Sequence, residues 1–221
     1  MRNFILLNLL VTLLILGFYL SACITSKERL RPEAKQEYVD RIKKVAILPF
    51  EDRSSLERAG ELAQYHLAYR LSQKGNYRLK NLIETKQVLR AYGVSNPGDV
   101  SFKRLGEILG VEGIIMGQVL KMERERELLD GALIAAELSI SLFHCETGTL
   151  VWKKRAYRKD KSGEARLPSI ISLFREHFEE EYTPYVLPVY YLINDMIKTL
   201  PQPHLTGEDL YEKLSDITEP F

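Results

Sequence analysis

The 221-residue chain has 2 cysteines and 4 histidines among the side chains that could do chemistry, and their spacing limits what each can do. Cys23 follows Leu20-Ser21-Ala22 at the end of an apolar run, residues 4–20, headed by Met1-Arg2-Asn3. A short positive start, an apolar middle and small residues before a cut site make a secretory signal peptide. Cys145 closes Leu142-Phe143-His144-Cys145, a strand-like apolar run, and reads as a small core residue. A Cys23–Cys145 disulfide is open only if Cys23 stays unmodified. His66, His144, His177 and His204 are scattered, with no His-Glu-x-x-His and no Cys-x-x-Cys, so no metal site is expected. Glu176-His177-Phe178-Glu179-Glu180-Glu181 has cation-binding residue types but reads as a solvated helix end. Gly106, Gly110, Gly113 and Gly117 form neither a dinucleotide loop nor a Walker loop. Their expected jobs are helix ends and close packing. No Gly-x-Ser-x-Gly is present, and the reading is of a protein that is not an enzyme and takes no cofactor.

Charge narrows the classes further. Lys+Arg number 31 and Asp+Glu 30, a net charge of +1. A general nucleic-acid binder needs a basic footprint to neutralise phosphates, so no nucleic-acid partner is expected. Cleavage before Cys23 removes Arg2 and no acid, which leaves the mature chain neutral. The one local excess of charge is the run 153–161, with Lys153, Lys154, Arg155, Arg158, Lys159 and Lys161. It reads as a solvated strand end balanced by the acids around Glu180; the alternative is contact with anionic headgroups, each cation worth about 1 kcal/mol. As a transmembrane helix, residues 4–20 fall short of the roughly 20 apolar residues a span needs.

The elements that must position these residues follow from periodicity. Lys43-Lys44-Val45-Ala46-Ile47-Leu48-Pro49-Phe50 is a short apolar run, predicted as a strand buried on both faces and ended by Pro49. Ser54-Ser55-Leu56-Glu57 has the capping-box pattern, and Leu56, Ala59, Ala63, Leu67 and Leu71 continue it as a helix closed by Gly75. Residues 77–82 alternate as a second strand. Residues 84–92 and 102–109 are short helices ended by Gly93 and Gly110, with a turn at Asn96-Pro97-Gly98-Asp99 between them. Strands are predicted at 113–120, 132–145 and 150–157, with a hairpin arm at 123–127 and a tight turn at Glu146-Thr147-Gly148-Thr149. This order gives an α/β (α+β) domain with a mixed sheet of about five strands flanked by helices. Beyond it, Ile170, Ile171, Phe174 and Phe178 share a helical face. Val189, Leu192, Ile193, Met196, Ile197 and Leu200 form an apolar stripe expected to pack on the sheet. Tyr185, Tyr190 and Tyr191 beside it are the candidate partner surface, tyrosine being enriched at interfaces.

Two resemblances rest on these residues. Leu20-Ser21-Ala22-Cys23 resembles the lipobox of bacterial lipoproteins, which implies a lipid anchor on Cys23, cleavage before it, and acylation of the new amine. Ile24 at the following position resembles the outer-membrane sorting pattern. The segments Val45-Ala46-Ile47-Leu48-Pro49-Phe50, Asn76-Tyr77-Arg78-Leu79, Asn96-Pro97-Gly98-Asp99-Val100, residues 105–115 and Thr147-Gly148-Thr149-Leu150-Val151-Trp152 together resemble a family of bacterial lipoproteins with a fold like the N-terminal domain of TolB. CsgG and LpoB are related to it in fold. The resemblance covers about residues 42–157 plus the signal and supplies no catalytic motif. It implies a signal peptide at 1–22 and a TolB-N-like domain at 42–161; composition and periodicity add a tether at 23–41, C-terminal helices at 162–203, where the sequence departs from the family, and a polar tail at 204–221. The function implied is that of a lipid-anchored envelope protein, with its domain facing the periplasm, that binds other envelope proteins of an export apparatus or of cell-wall machinery and is able to form homo-oligomers. The alternative is an oligomeric, CsgG-like outer-membrane secretion component.

Overall fold

The structure, a computed structural model, describes residues 32–128, 131–162, 174 and 177–204. The chain divides into a unit Met1–Glu33 and a unit Ala34–Phe221, and the architecture below is that of the second. The lipobox residues Leu20, Ser21, Ala22 and Cys23, residues 24–31, the pair Ile170 and Ile171, and the tail after His204 lie outside the described residues.

Helix α1 (Pro32–Asp40) leads into strand β1 (Lys44–Ile47), and the two-residue strand β2 (Glu51–Asp52) follows Pro49. Helix α2 (Ala59–Lys74), strand β3 (Arg78–Leu79), helix α3 (Leu82–Ala91) and helix α4 (Phe102–Leu109) come next. The long strands β4 (Gly113–Leu128), β5 (Gly131–His144) and β6 (Leu150–Lys161) precede helix α5 (Thr183–Ile197). The sheet runs β3-β1-β4-β5-β6, with β2 pairing on β4. β1 is parallel to both neighbours, whereas β4, β5 and β6 are antiparallel. This is the expected mixed sheet flanked by helices, with six strands rather than five because Glu51 and Asp52 pair with Gln118 and Val119.

Two cores hold it together. The larger packs α2 and α5 on one sheet face, around Ile47, Leu62, Leu67, Ile115, Leu138, Ile140, Ile193 and Met196. The smaller packs α4 and Leu89 of α3 on the other face, over Ala46, Leu48 and Ile114. Because α3 and α4 reach only this end of the sheet, β6 presents Lys153, Arg155, Tyr157, Lys159 and Lys161 outward, alternating with less exposed residues. The 189–200 stripe is fully taken up in the larger core: Val189, Leu192, Ile193, Met196, Ile197 and Leu200 are all buried. At about 1.5–3 kcal/mol per side chain, that burial makes α5 a structural half of the sandwich.

Several boundaries move. α2 begins at Ala59, not at the Ser54 capping box; Ser54 instead donates both its N–H and its hydroxyl to Asp52 Oδ1. Asp52 Oδ2 accepts the Gly60 N–H, so an acid from β2 serves the first turn of the helix. The 77–82 strand shortens to Arg78–Leu79 because the Asn81 side chain caps α3, accepting from the Ile83 and Glu84 amides. Residues 34–41 lie within the unit Ala34–Phe221: Val39 is fully buried, Gln36 donates to the Gln202 carbonyl, and Asp40 accepts from the His204 amide. Gly110 ends α4 with φ +64° as the pattern requires. Gly106 and Gly117 are packing glycines: a Cβ on Gly106 would lie 2.6 Å from Cys145 Cβ, and one on Gly117 would enter the Phe50 ring at 2.2 Å.

Candidate functional site

The candidate tyrosines do not share one surface. Tyr185 is buried under the first turns of α5, while Tyr190 and Tyr191 are half-buried side by side, ring centroids 5.5 Å apart and 71° between planes. Each lies beneath an arginine: the Arg70 guanidinium carbon is 5.0 Å from the Tyr190 ring and that of Arg158 is 5.3 Å from Tyr191. Arg70 also bonds Asn194 Oδ1, and Arg158 pairs with Asp160 and Asp195. The carboxyl of Asp195 is held below its ordinary value, first by its hydrogen bond from Lys198 and then by Arg158. The chain brings α2, β6 and α5 together here into a rim of alternating rings and charges that no single segment predicts.

Part of the basic run is paired with acids on neighbouring strands. Arg155 bonds Glu137 on the neighbouring strand, and Lys159 pairs with Glu125 of β4. The antiparallel register sets Glu137 and Glu125 within reach of β6.

The histidines stay apart. His66 on α2 is wholly buried, stacked on Phe174 at 3.8 Å between centroids. Neither of its ring nitrogens, nor Arg70 Nε beside it, has a hydrogen-bond partner among the described residues. Burial pushes the imidazole down to about 3 from 6.5, so it is neutral across the physiological range. His144 contacts Thr147 in the β5–β6 turn, and its value too is lowered by burial. His204 bonds Asp40. Cys145 is 4% exposed, and burial, with Glu112 adding to it, raises its thiol to about 12, as expected of a core thiol. Among the described residues no three His, Cys, Asp or Glu side chains converge to hold a metal ion, and no helix is long and apolar enough to cross a membrane.

Two hollows are present whose residues the sequence did not mark. One, about 470 Å³, lies between α2 and the β3–α3 junction, with Tyr65, Tyr69, Leu79, Leu82 and Ile83 in its walls. The other, about 670 Å³, opens on the sheet face that α3 and α4 leave bare. The one signal for it in the sequence was Ser139 and Ser141 alternating with Leu138, Ile140 and Leu142, which marks a polar face of β5.

No protein-family model and no curated protein matches the chain. Among solved structures it is similar to lipoprotein GNA1162 from Neisseria meningitidis, with 19% identity over 61% of this chain and 94% of that one, TM-score 0.48. It is similar to the PelC dodecamer from Paraburkholderia phytofirmans, with 15% identity over 74% of this chain and 91% of that one, TM-score 0.47. It is also similar to the LpoB C-terminal domain from Salmonella enterica, with 14% identity over 57% of this chain and 96% of that one, TM-score 0.40. Lipoproteins are thus among the solved structures this chain is similar to.

Proposed function

We propose that this chain is a lipid-anchored cell-envelope protein that works by binding other envelope proteins, within an export apparatus or cell-wall machinery, with no catalytic step of its own. The observation that carries the reading is Leu20-Ser21-Ala22-Cys23 directly after the apolar run 4–20. On this reading Cys23 is the acylated first residue of the mature protein. Its acyl chains exceed the two membrane signals that stable anchoring needs, and Ile24 directs the protein to the outer membrane with the folded unit in the periplasm. The rim of Tyr190, Tyr191, Arg70 and Arg158 is the partner surface, combining half-buried aromatic rings with arginine, the residue types enriched where proteins meet. A CsgG-like role fits the fold less well. It would need β4 and β5 to enter the bilayer, yet their apolar face is already covered by α2 and α5, with Ile134 and Leu138 fully buried.

The test has two arms. Cys23→Ser loses lipid label and leaves the membrane fraction; unchanged membrane association refutes the anchor. A photo-crosslinker at position 191 in growing cells captures one envelope protein that a crosslinker at position 103, on α4, does not; the same products from both positions refute the surface.

A further inference from the structure

The hollow on the bare sheet face lies outside the carboxyl end of β1, where open α/β sheets hold their ligands. Its walls are the loop after β1, the Asn96–Asp99 turn, and outward side chains of β4, β5 and β6. The register orders those side chains into rows. Met116 lies opposite Ser141 and Ser141 opposite Lys153; in the next row Gln118 lies opposite Ser139 and Ser139 opposite Arg155. Residues opposite one another on a sheet face stand about 5 Å apart at Cβ, so the hydroxyls of Ser139 and Ser141 and the Lys153 ammonium converge on one patch.

What the hollow offers a ligand is decided by which of its polar groups are already spent. Glu51 accepts from Arg53 Nε and Gln118 Nε2. Asp99 accepts from Asn96 Nδ2, and the Arg155 guanidinium is held by Glu137. Glu51 is therefore paired with a cation, while Asp99 is met in the turn by a neutral amide. The side chains of Lys153, Ser139 and Ser141 make no hydrogen bond or ion pair with another described residue. Ser139 is 7% exposed. The unspent capacity is that of donors around one positive charge. Opposite them the wall is apolar, with Met116 and Phe143; the Phe50 ring lies behind Gly117, in the larger core on the other face of the sheet.

We infer that this hollow binds a small amphipathic carboxylate, its anionic head on Lys153, Ser141 and Ser139 and its apolar body against Met116 and Phe143. A single ammonium matches the single charge of a carboxylate, and no arginine fork free to grip a phosphate faces the site. The site shares no residue with the Tyr190–Tyr191 rim or with the proposed anchor at Cys23, so it stands or falls independently of both.

The experiment titrates the full chain, in non-ionic detergent, with N-acetylphenylalanine and with its neutral amide, following heat and backbone amide shifts. The carboxylate binds saturably at about millimolar affinity or tighter, with shifts centred on Ser139, Ser141 and Phe143, and the amide binds at least about tenfold more weakly. Lys153→Ala costs about tenfold and Lys153→Arg restores most of it. Lys154→Ala, opposite Ile140 on the helix-covered side of β6, changes nothing. Circular dichroism confirms that each variant is folded. The inference is overturned by the amide binding as tightly, by a folded Lys153→Ala with unchanged affinity, by inorganic phosphate competing as well as the carboxylate does, or by no saturable binding.

Discussion

Replacing His66 with leucine should flatten the pH dependence of folding stability, by an amount the structure sets. The imidazole is fully buried with both nitrogens unpartnered, and burial lowers it from 6.5 to about 3. The folded protein therefore holds the ring neutral, while the unfolded chain takes up a proton below 6.5. Stability from this group is complete above pH 6.5, falls as the pH drops, and levels off only below about pH 3. The full span is about 3.5 pKa units, or roughly 5 kcal/mol. Between pH 7 and pH 5 the linkage relation gives a loss of about 2 kcal/mol. His144 adds a loss of the same sign, and Asp40, whose carboxyl is held low by His204 and Gln36 against its burial, adds one only at lower pH. The comparison is therefore wild type against His66→Leu, by guanidinium denaturation at both pH values with equal slopes. The wild type should lose about 2 kcal/mol more than the variant. At pH 7 the variant should be at least as stable, because leucine leaves no buried nitrogen unsatisfied. Equal losses in the two proteins would refute the reasoning, since they would mean that His66 is hydrated or already partnered in solution.

Three other outcomes follow from packing and caps. Gly117→Ala places a Cβ 2.2–2.4 Å from three Phe50 ring atoms and should cost about 1–3 kcal/mol of stability in a denaturant melt, as overpacking does. Cys145 should resist a thiol reagent at pH 8 in the folded protein and react promptly in denaturant, given its burial and a thiol raised to about 12. Asn81→Ala removes the side-chain acceptor for the Ile83 and Glu84 amides and should destabilise by about 1 kcal/mol, with Asn81→Asp restoring it.

What was legible was local. α4 was read at its observed bounds because both of its ends are written in adjacent residues, Ser101 accepting the Arg104 amide and Gly110 taking the left-handed turn. β5 was read almost whole because its alternation repeats over a dozen residues with one face buried. The start of α2 was misplaced because its capping group comes from elsewhere. Ser54 and Glu57 have the right spacing, but Asp52, fixed on β2 by pairing with β4, reaches the Gly60 amide first. A capping pattern is a contest among nearby oxygens, and sheet pairing decided this one.

The same division explains the candidate sites. The proposed lipobox is readable because a motif of that kind is recognised as sequence, so the signal needs no fold. The rim at Tyr190 and Tyr191 was half readable: the tyrosines are visible in the chain, but the arginines over them arrive from α2 and β6, more than 30 residues away in either case. The carboxylate hollow was unreadable, because its donors become a site only through register. Ser139, Ser141 and Lys153 are ordinary solvent-face residues until β6 is paired antiparallel to β5 with Ser141 opposite Lys153. A shift of one residue along β6 would turn Lys153 to the helix side and bring Lys154 to the hollow. Trp152 pins that register: it is opposite Leu142, buried on the helix side, and donates its indole N–H to Thr199 just past α5. The large apolar side chain next to Lys153 thus decides which way the lysine points, so Trp152→Ala should weaken N-acetylphenylalanine binding without touching the ligand. A folded Trp152→Ala that binds the probe as wild type does would show that the hydrogen-bond ladder alone holds the register.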